Sequence, residues 1–450
     1  MQLNNGISIK IAAPLLLLGC SLLVLYRAGV TASGVGDIRF FIKVALIQSV
    51  IYLLAAWIVV RARSARSTLL IVITFAVLFR LSILFAPPYL SDDIYRYVWD
   101  GRVQAAGINP YRYVPAAPEL AHLRDDVIYS KINRRDYAHT IYPPLAQVLF
   151  FLTTRISESI VWMKVTMLGF EVIAIWAIAQ LLTFFGRPRQ LLLIYAWHPL
   201  VVWEFAGSGH VDAIAVTFIA WAFLAWQRRS NAGAALALAC GTLIKLFPLV
   251  LLPAMFKRER LRIALVFMTT IIVAYLPYLS IGPKAVLGFL PGYAQEQGLV
   301  SGKQFYGLTL AQRLLGIDLP SFAYAIAATL VMSLIGYWVL KRRADDEDNL
   351  KPAMLLATAT TVLFAPHYSW YFCWLVFFLC FKPLLTVFYL TIASFVLYAT
   401  WLGDSPQQMF TINSFIYLPA VLIGIIEWFW RNSRFQYSPL RRLKPMATDR

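Results

Sequence analysis

The chain has 450 residues, of which 60% are hydrophobic and only 14% charged, with a formal net charge of +18. A soluble domain carries about 25% charged residues, so this composition excludes a soluble enzyme and points to an all-α polytopic membrane protein. The positive charge is no footprint for nucleic acid, because Lys and Arg cluster in short loops between apolar runs.

The apolar runs approach the ~20 residues that cross ~30 Å of hydrocarbon as a helix. In chain order they predict about twelve crossings, near 9–26, 40–60, 67–86, 160–185, 190–206, 211–227, 263–280, 320–340, 351–365, 368–381, 384–401 and 411–430. The first run exceeds the 7–15 residues of a signal-peptide core and is expected to remain as a helix. Basic clusters at Arg61–Arg66, Arg187–Arg189, Arg228–Arg229, Lys257–Arg262, Lys341–Arg343 and 431–450 are expected on the cytoplasmic side. Residues 1–430 then form one membrane domain, with external loops at 87–144 and 281–319 and a basic cytoplasmic tail at 431–450.

The run 231–256 is long enough to cross, yet basic clusters flank both of its ends. Lys245-Leu246-Phe247-Pro248 lies at its middle, and proline removes a backbone hydrogen bond there. A re-entrant pair of half-helices resolves the conflict, provided that the broken backbone is buried in protein or lines a cavity. Leu145–Ile156 is too short to span and is expected in or near the outer interface. The acidic run Asp345–Asp348 reads as a solvated linker. Cys20, Cys240, Cys373 and Cys380 lie in apolar segments with no metal-ligand spacing, and read as small core hydrophobes.

The loop 87–144 holds seven of the 22 acidic residues, including Asp92 and Asp93 directly after a membrane-length run. Carboxylates at that boundary are costly and mark a functional site. One of the pair is expected to act as a general base while the other tunes it, with Arg96 as the nearby cation. The same two residues would also suit a helix N-cap. An amphipathic helix on the outer surface is predicted from Ile94 to Ala106, ended by Gly107-Ile108-Asn109-Pro110-Tyr111.

Three further stretches are expected near the same outer mouth. Trp197 to Asp212 places Glu204, His210 and Asp212 there, around glycines that also suit a plain hinge. His210 and Asp212 stand two apart and share no helix face, which argues against a joint metal site. Pro366-His367-Tyr368-Ser369-Trp370-Tyr371 offers rings for a sugar face and a histidine for a phosphate oxygen, or an ordinary aromatic belt. Lys303, Tyr306 and Arg313 on the second loop suit an anionic lipid headgroup. Lys245 is either a phosphate ligand or a cation reaching for the cytoplasmic face.

These stretches together resemble a known family. Asp92-Asp93-Ile94-Tyr95-Arg96-Tyr97-Val98-Trp99-Asp100-Gly101, then Gly107 to Tyr111, then Tyr142-Pro143-Pro144-Leu145, resemble the first external loop of GT-C membrane glycosyltransferases, in particular bacterial polyprenol-phosphate-mannose-dependent mannosyltransferases. His198-Pro199-Leu200 and Gly209-His210-Val211-Asp212 resemble a second block, where Asn-Pro-Leu and Gly-His-Asn-Asp are usual. The resemblance implies a GT-C-like bundle and an inverting transferase in the bacterial inner membrane, with its site on the periplasmic side. Its donor would be a polyprenyl-phosphate-linked sugar, mannose by likeness. The acceptor would be a hydroxyl of a lipid, glycan or protein. No cofactor and no divalent metal are implied, and the partners are membrane lipid and these substrates. By register with the family, Asp93 is the base and Asp92 its support, while Trp99, Asn109, Tyr111 and Tyr142 join the sugar-binding set. A flippase for a lipid-linked sugar is the alternative, and it predicts polar residues along the whole membrane depth.

Overall fold

The computed structural model describes residues 5–34, 36–62, 65–256, 259–302, 305–341, 348–403 and 405–436. They form helices and connecting loops, with no strand among the described residues. The chain opens with three long helices, α1 (Asn5–Gly34), α2 (Ile38–Arg61) and α3 (Arg66–Leu84). Asp37 starts α2 by accepting from the Phe40 amide at 2.9 Å. Two helices of the first loop follow, α4 (Asp93–Ala105) and α5 (Pro144–Ile156), then the long α6 (Ile160–Phe184).

Among the described residues, eight helical segments are long and apolar enough to cross a membrane. Four of the twelve predicted crossings, 190–206, 211–227, 351–365 and 368–381, fold as shorter helical pieces. These need not meet lipid. In α7 (Asp212–Gln227) every residue except Phe218 and Trp221 is buried. The run 190–206 breaks at Trp197–His198 and ends in a π-turn over Trp203–Gly207. The long helices present the opposite pattern, with Leu17, Leu70, Val77 and Leu81 on the outside, as hydrocarbon permits. Cys20 also lies outside, while Cys373 and Cys380 are buried as expected of small core hydrophobes.

The segment 231–256 has two legs. Helix α8 (Asn231–Thr242) runs back along α7, the chain turns through Leu243–Leu246, and 3-10 and α turns lead to Met255. At the turn the Ala146 amide of α5 donates to the Leu243 carbonyl at 3.2 Å, and Lys245 meets Asp212 at the start of α7. The tip therefore reaches the end of the bundle that carries the loop 87–144. The remaining helices are α9 (Arg260–Tyr275), α10 (Leu290–Glu296), α11 (Tyr306–Leu315), α12 (Ser321–Lys341), α13 (Leu350–Phe364), α14 (Cys373–Leu379), α15 (Leu385–Ala393) and α16 (Pro406–Gln436).

Helix α4 is not the surface-lying amphipathic helix the sequence suggests. Every residue from Ile94 to Gly101 is buried, because α5, α6 and the loop 108–142 enclose it. Its length is as expected, and Gly107, at φ +75, turns the chain away. Lys164 fixes the approach to α4, donating to the Ala86 carbonyl at 2.6 Å beyond the C-terminus of α3, where a cation is favoured.

Candidate active site

A cavity of about 150 Å³ opens at the start of α4, lined by Asp92, Asp93, Asn133, Arg134, Lys245 and a set of aromatic rings. Asp92 occupies the N-cap position, but its carboxylate does not close the cap. Ser91 Oγ instead accepts from the Asp93 amide at 3.2 Å. Asp92 Oδ1 accepts from the Asn133 amide nitrogen at 2.5 Å, and the same nitrogen stands 3.4 Å from Asp93 Oδ1. Both carboxylates are thus aimed at the loop 133–134 rather than spent on the helix end. Desolvation by the cavity wall pushes Asp92 above the ordinary carboxylate range, and the charge of Asp93 adds to this, against the opposing Asn133 hydrogen bond. Gly209, at φ +73, packs so tightly that a Cβ would lie 2.5 Å from Ile94 Cδ1, which fixes the turn 207–211 beside Asp93.

Arg96 is not the partner of the carboxylate pair. Its Nε is 2.7 Å from Asp100 Oδ1 and its Nη1 donates to the Ala138 carbonyl. Asp100 Oδ2 in turn accepts from Thr140 and Gln147. An i,i+4 pair on one helix face met first, and Arg96 became a wall of the cavity with its charge already matched. Arg134 and Lys245 line the same cavity, each with an acidic partner of its own. Arg134 adopts φ +54 and its Nε binds Glu296 at 2.7 Å. Lys245 Nζ lies 2.7 Å from Asp212 Oδ2 and 4.8 Å from the centre of the Tyr371 ring. Lys245 thus lies at the same end of the bundle as Asp92 and Asp93, tied to Asp212.

Tyr368 and Trp370 stack with centroids 4.4 Å apart and planes 9° from parallel, and Tyr371 shares a hydroxyl contact of 2.9 Å with Tyr293. His210 stacks on Trp370 at 4.3 Å, but it does not line the cavity. Its Nδ1 is 3.0 Å from Glu204 Oε2, and Tyr398 donates to the other Glu204 oxygen. Glu204 and His210 are therefore a buried brace behind the aromatic platform. Asp212 also lies outside the lining, where it holds Lys245.

Other sequence-based candidates fall away from the cavity. Trp99 is buried against Tyr129. Asn109 clasps the turn after α9 through the Tyr278 carbonyl at 2.9 Å, and Tyr111 donates to the Tyr142 carbonyl at 2.6 Å. Tyr142 itself does line the cavity. His367 stands aside from it, and burial holds its imidazole down to about 4, hence uncharged at neutral pH. Tyr306 donates to Ser414 and stacks on Tyr417, and Arg313 pairs with Gln407 over the Phe410 ring. Both tie α11 to α16 instead of meeting a donor near Asp93. Lys303 lies outside the described residues. Sequence reasoning missed Asn133, Arg134, Phe289 and Tyr293, which stand in loops without a local pattern. Among the described residues no three His, Cys, Asp or Glu side chains gather closely enough to hold a metal ion.

Residues 21–257, more than half of the chain, match the family described as alpha-(1→6)-mannopyranosyltransferase, N-terminal domain. The chain belongs to this family. It is a GT-C membrane mannosyltransferase, and the matched span carries Asp92, Asp93, Arg134, Asp212 and Lys245. No curated protein matches the chain. The departure of His198 from the family's usual asparagine has a structural account. His198 Nδ1 accepts from the Leu200 amide at 3.3 Å, so the imidazole performs the capping task of a short polar side chain.

Proposed function

We propose that this mannosyltransferase takes mannose from a polyprenyl-phosphate donor and inverts the anomeric carbon as it passes to an acceptor hydroxyl on the external face, in the inner membrane of a bacterium. The observation that carries the reading is the Asp92–Asp93 pair lining one small cavity together with Lys245, Arg134 and aromatic rings. Asp93 accepts the proton of the acceptor hydroxyl. The oxygen forms a bond to C1 of the sugar, the bond from C1 to the phosphate oxygen breaks, and its electron pair leaves with polyprenyl phosphate. Lys245 and Arg134 offset the charge that grows on that phosphate. Tyr368 and Trp370 supply apolar ring faces for the sugar.

The test is Asp93→Asn in proteoliposomes supplied with polyprenyl-phosphate mannose. Loss of a positioned general base slows transfer by about 10²–10⁴-fold, and donor binding should persist. Undiminished transfer would remove Asp93 from the chemistry. Movement of the lipid across the bilayer without transfer in the wild type would favour a flippase instead.

A further inference from the structure

The cavity of about 150 Å³ is smaller than the roughly 300–1,000 Å³ of an ordinary small-molecule site. The donor's tail can lie in hydrocarbon. An acceptor longer than its reacting unit needs a second, watery space adjoining Asp93.

Such a space exists between the two loops. A pocket of about 540 Å³ is bounded by Tyr111, Arg112 and His139 on one side and by Ser280, Ala285 and Gly288 on the other. His139 lines both this pocket and the Asp93 cavity, so the two are neighbours across one side chain. Beside the pocket the two loops meet through backbone. At Gly288, φ +54, a Cβ would lie 1.9 Å from the Thr140 carbonyl oxygen, and the next amide, of Phe289, donates to that oxygen at 3.2 Å. Only glycine lets the loops touch there.

The lining suits a neutral polyol. His139 is half-buried in the wall the two spaces share, and burial holds its ring below its ordinary pKa, hence uncharged. Ser280 Oγ already takes the Asn109 amide, which leaves its proton to donate. Arg112 is exposed with its guanidinium 5.5 Å from the Tyr113 ring, and it brings donors in a fixed fork. It is the one cation of the lining, too little for a lipid phosphate, which would draw several charge-assisted bonds.

We infer that this pocket is an acceptor subsite: it holds the inner units of an oligosaccharide whose last sugar passes His139 and presents its hydroxyl to Asp93. The inference rests on the reading of Asp93 given above. It is tested in the full-length protein with an α-linked mannose tetrasaccharide and a single mannoside as acceptors. The wild type should show a KM about tenfold lower for the tetrasaccharide, about 1.4 kcal/mol. Ala285→Trp, at an exposed position facing the pocket, and Arg112→Ala should each erase that advantage with little change in kcat. Independently of turnover, Asp93→Asn protein without donor should bind the tetrasaccharide in calorimetry, and adding Ala285→Trp should abolish the heat. The subsite is overturned if chain length brings no advantage, if both variants slow the two acceptors equally, or if binding survives Ala285→Trp. Should polyprenyl-phosphate mannose prove not to be the donor, every transfer arm fails while the calorimetry still decides the subsite.

Discussion

Residues 87–144 and 281–319 both reach the Asp93 cavity, and they are anchored by different means. The first loop buries its polar groups in a closed network, in which Arg96, Asp100, Thr140 and Gln147 satisfy one another around α4. The second touches the cavity through Phe289 and Tyr293 on single polar contacts, with Glu296 bound to Arg134 and Tyr137. Gly282, Gly288, Gly298 and Gly302 all sit at positive φ along it. The difference teaches that the Asp92–Asp93 pair rides on the more densely hydrogen-bonded loop, while the more sparsely tied loop shapes the space around it.

The sharpest way to break this division is at Asp93 itself, where Asn should cost the 10²–10⁴-fold named above with no loss of stability. Asp100→Leu tests the densely bonded side. It strands the buried Arg96 charge, which should cost about 3–5 kcal/mol, seen as a lower apparent Tm in detergent and as lost transfer. If Asp100→Leu leaves both unchanged, the network does not fix the carboxylates. Lys245→Met should weaken donor binding by about 10–100-fold, the worth of a charge-assisted hydrogen bond of roughly 1.5–3 kcal/mol. A fall in Tm with donor KM unchanged would reduce Lys245 to a structural partner of Asp212. Glu296→Gln on the sparsely tied loop should change transfer only a few-fold, as befits a half-exposed pair worth about 0.2–1 kcal/mol. A large thermal effect from it would mean that the second loop is as structural as the first.

Much of this was legible along the chain, for reasons that are themselves physical. The long helices show because crossing hydrocarbon demands an apolar run, and the break at Lys245–Pro248 shows because proline interrupts one. Four crossings turned out shorter because burial in protein relieves a helix of the need to span. What the chain hides is pairing at a distance. Lys245 finds Asp212 across 33 positions, and Asn133 finds Asp92 across 41. Arg96 stands close to Asp93 in sequence, yet the helix face gives it to Asp100 at i+4. Tyr306 and Arg313 carry lipid-binding chemistry, but α16 supplies their partners instead.

Asn133 offers the smallest and most discriminating change. Its amide donates to the Asp92 carboxylate, and so it favours the charged form against the desolvation and the Asp93 charge that favour the neutral one. Asn133→Ala removes the side-chain hydrogen bond that favours the ionised form of Asp92, so Asp92 should keep its proton to a higher pH. If an ionised Asp92 supports catalysis, the acid limb of the pH–rate profile moves upward in pH, while the rate well above that limb stays nearly the same. In an Asp92→Asn background, Asn133→Ala should no longer move the limb. A shift of equal size in both backgrounds would show that Asn133 acts on Asp93 through its 3.4 Å contact instead, and the acid limb would then report the ionisation of the base itself and not that of Asp92.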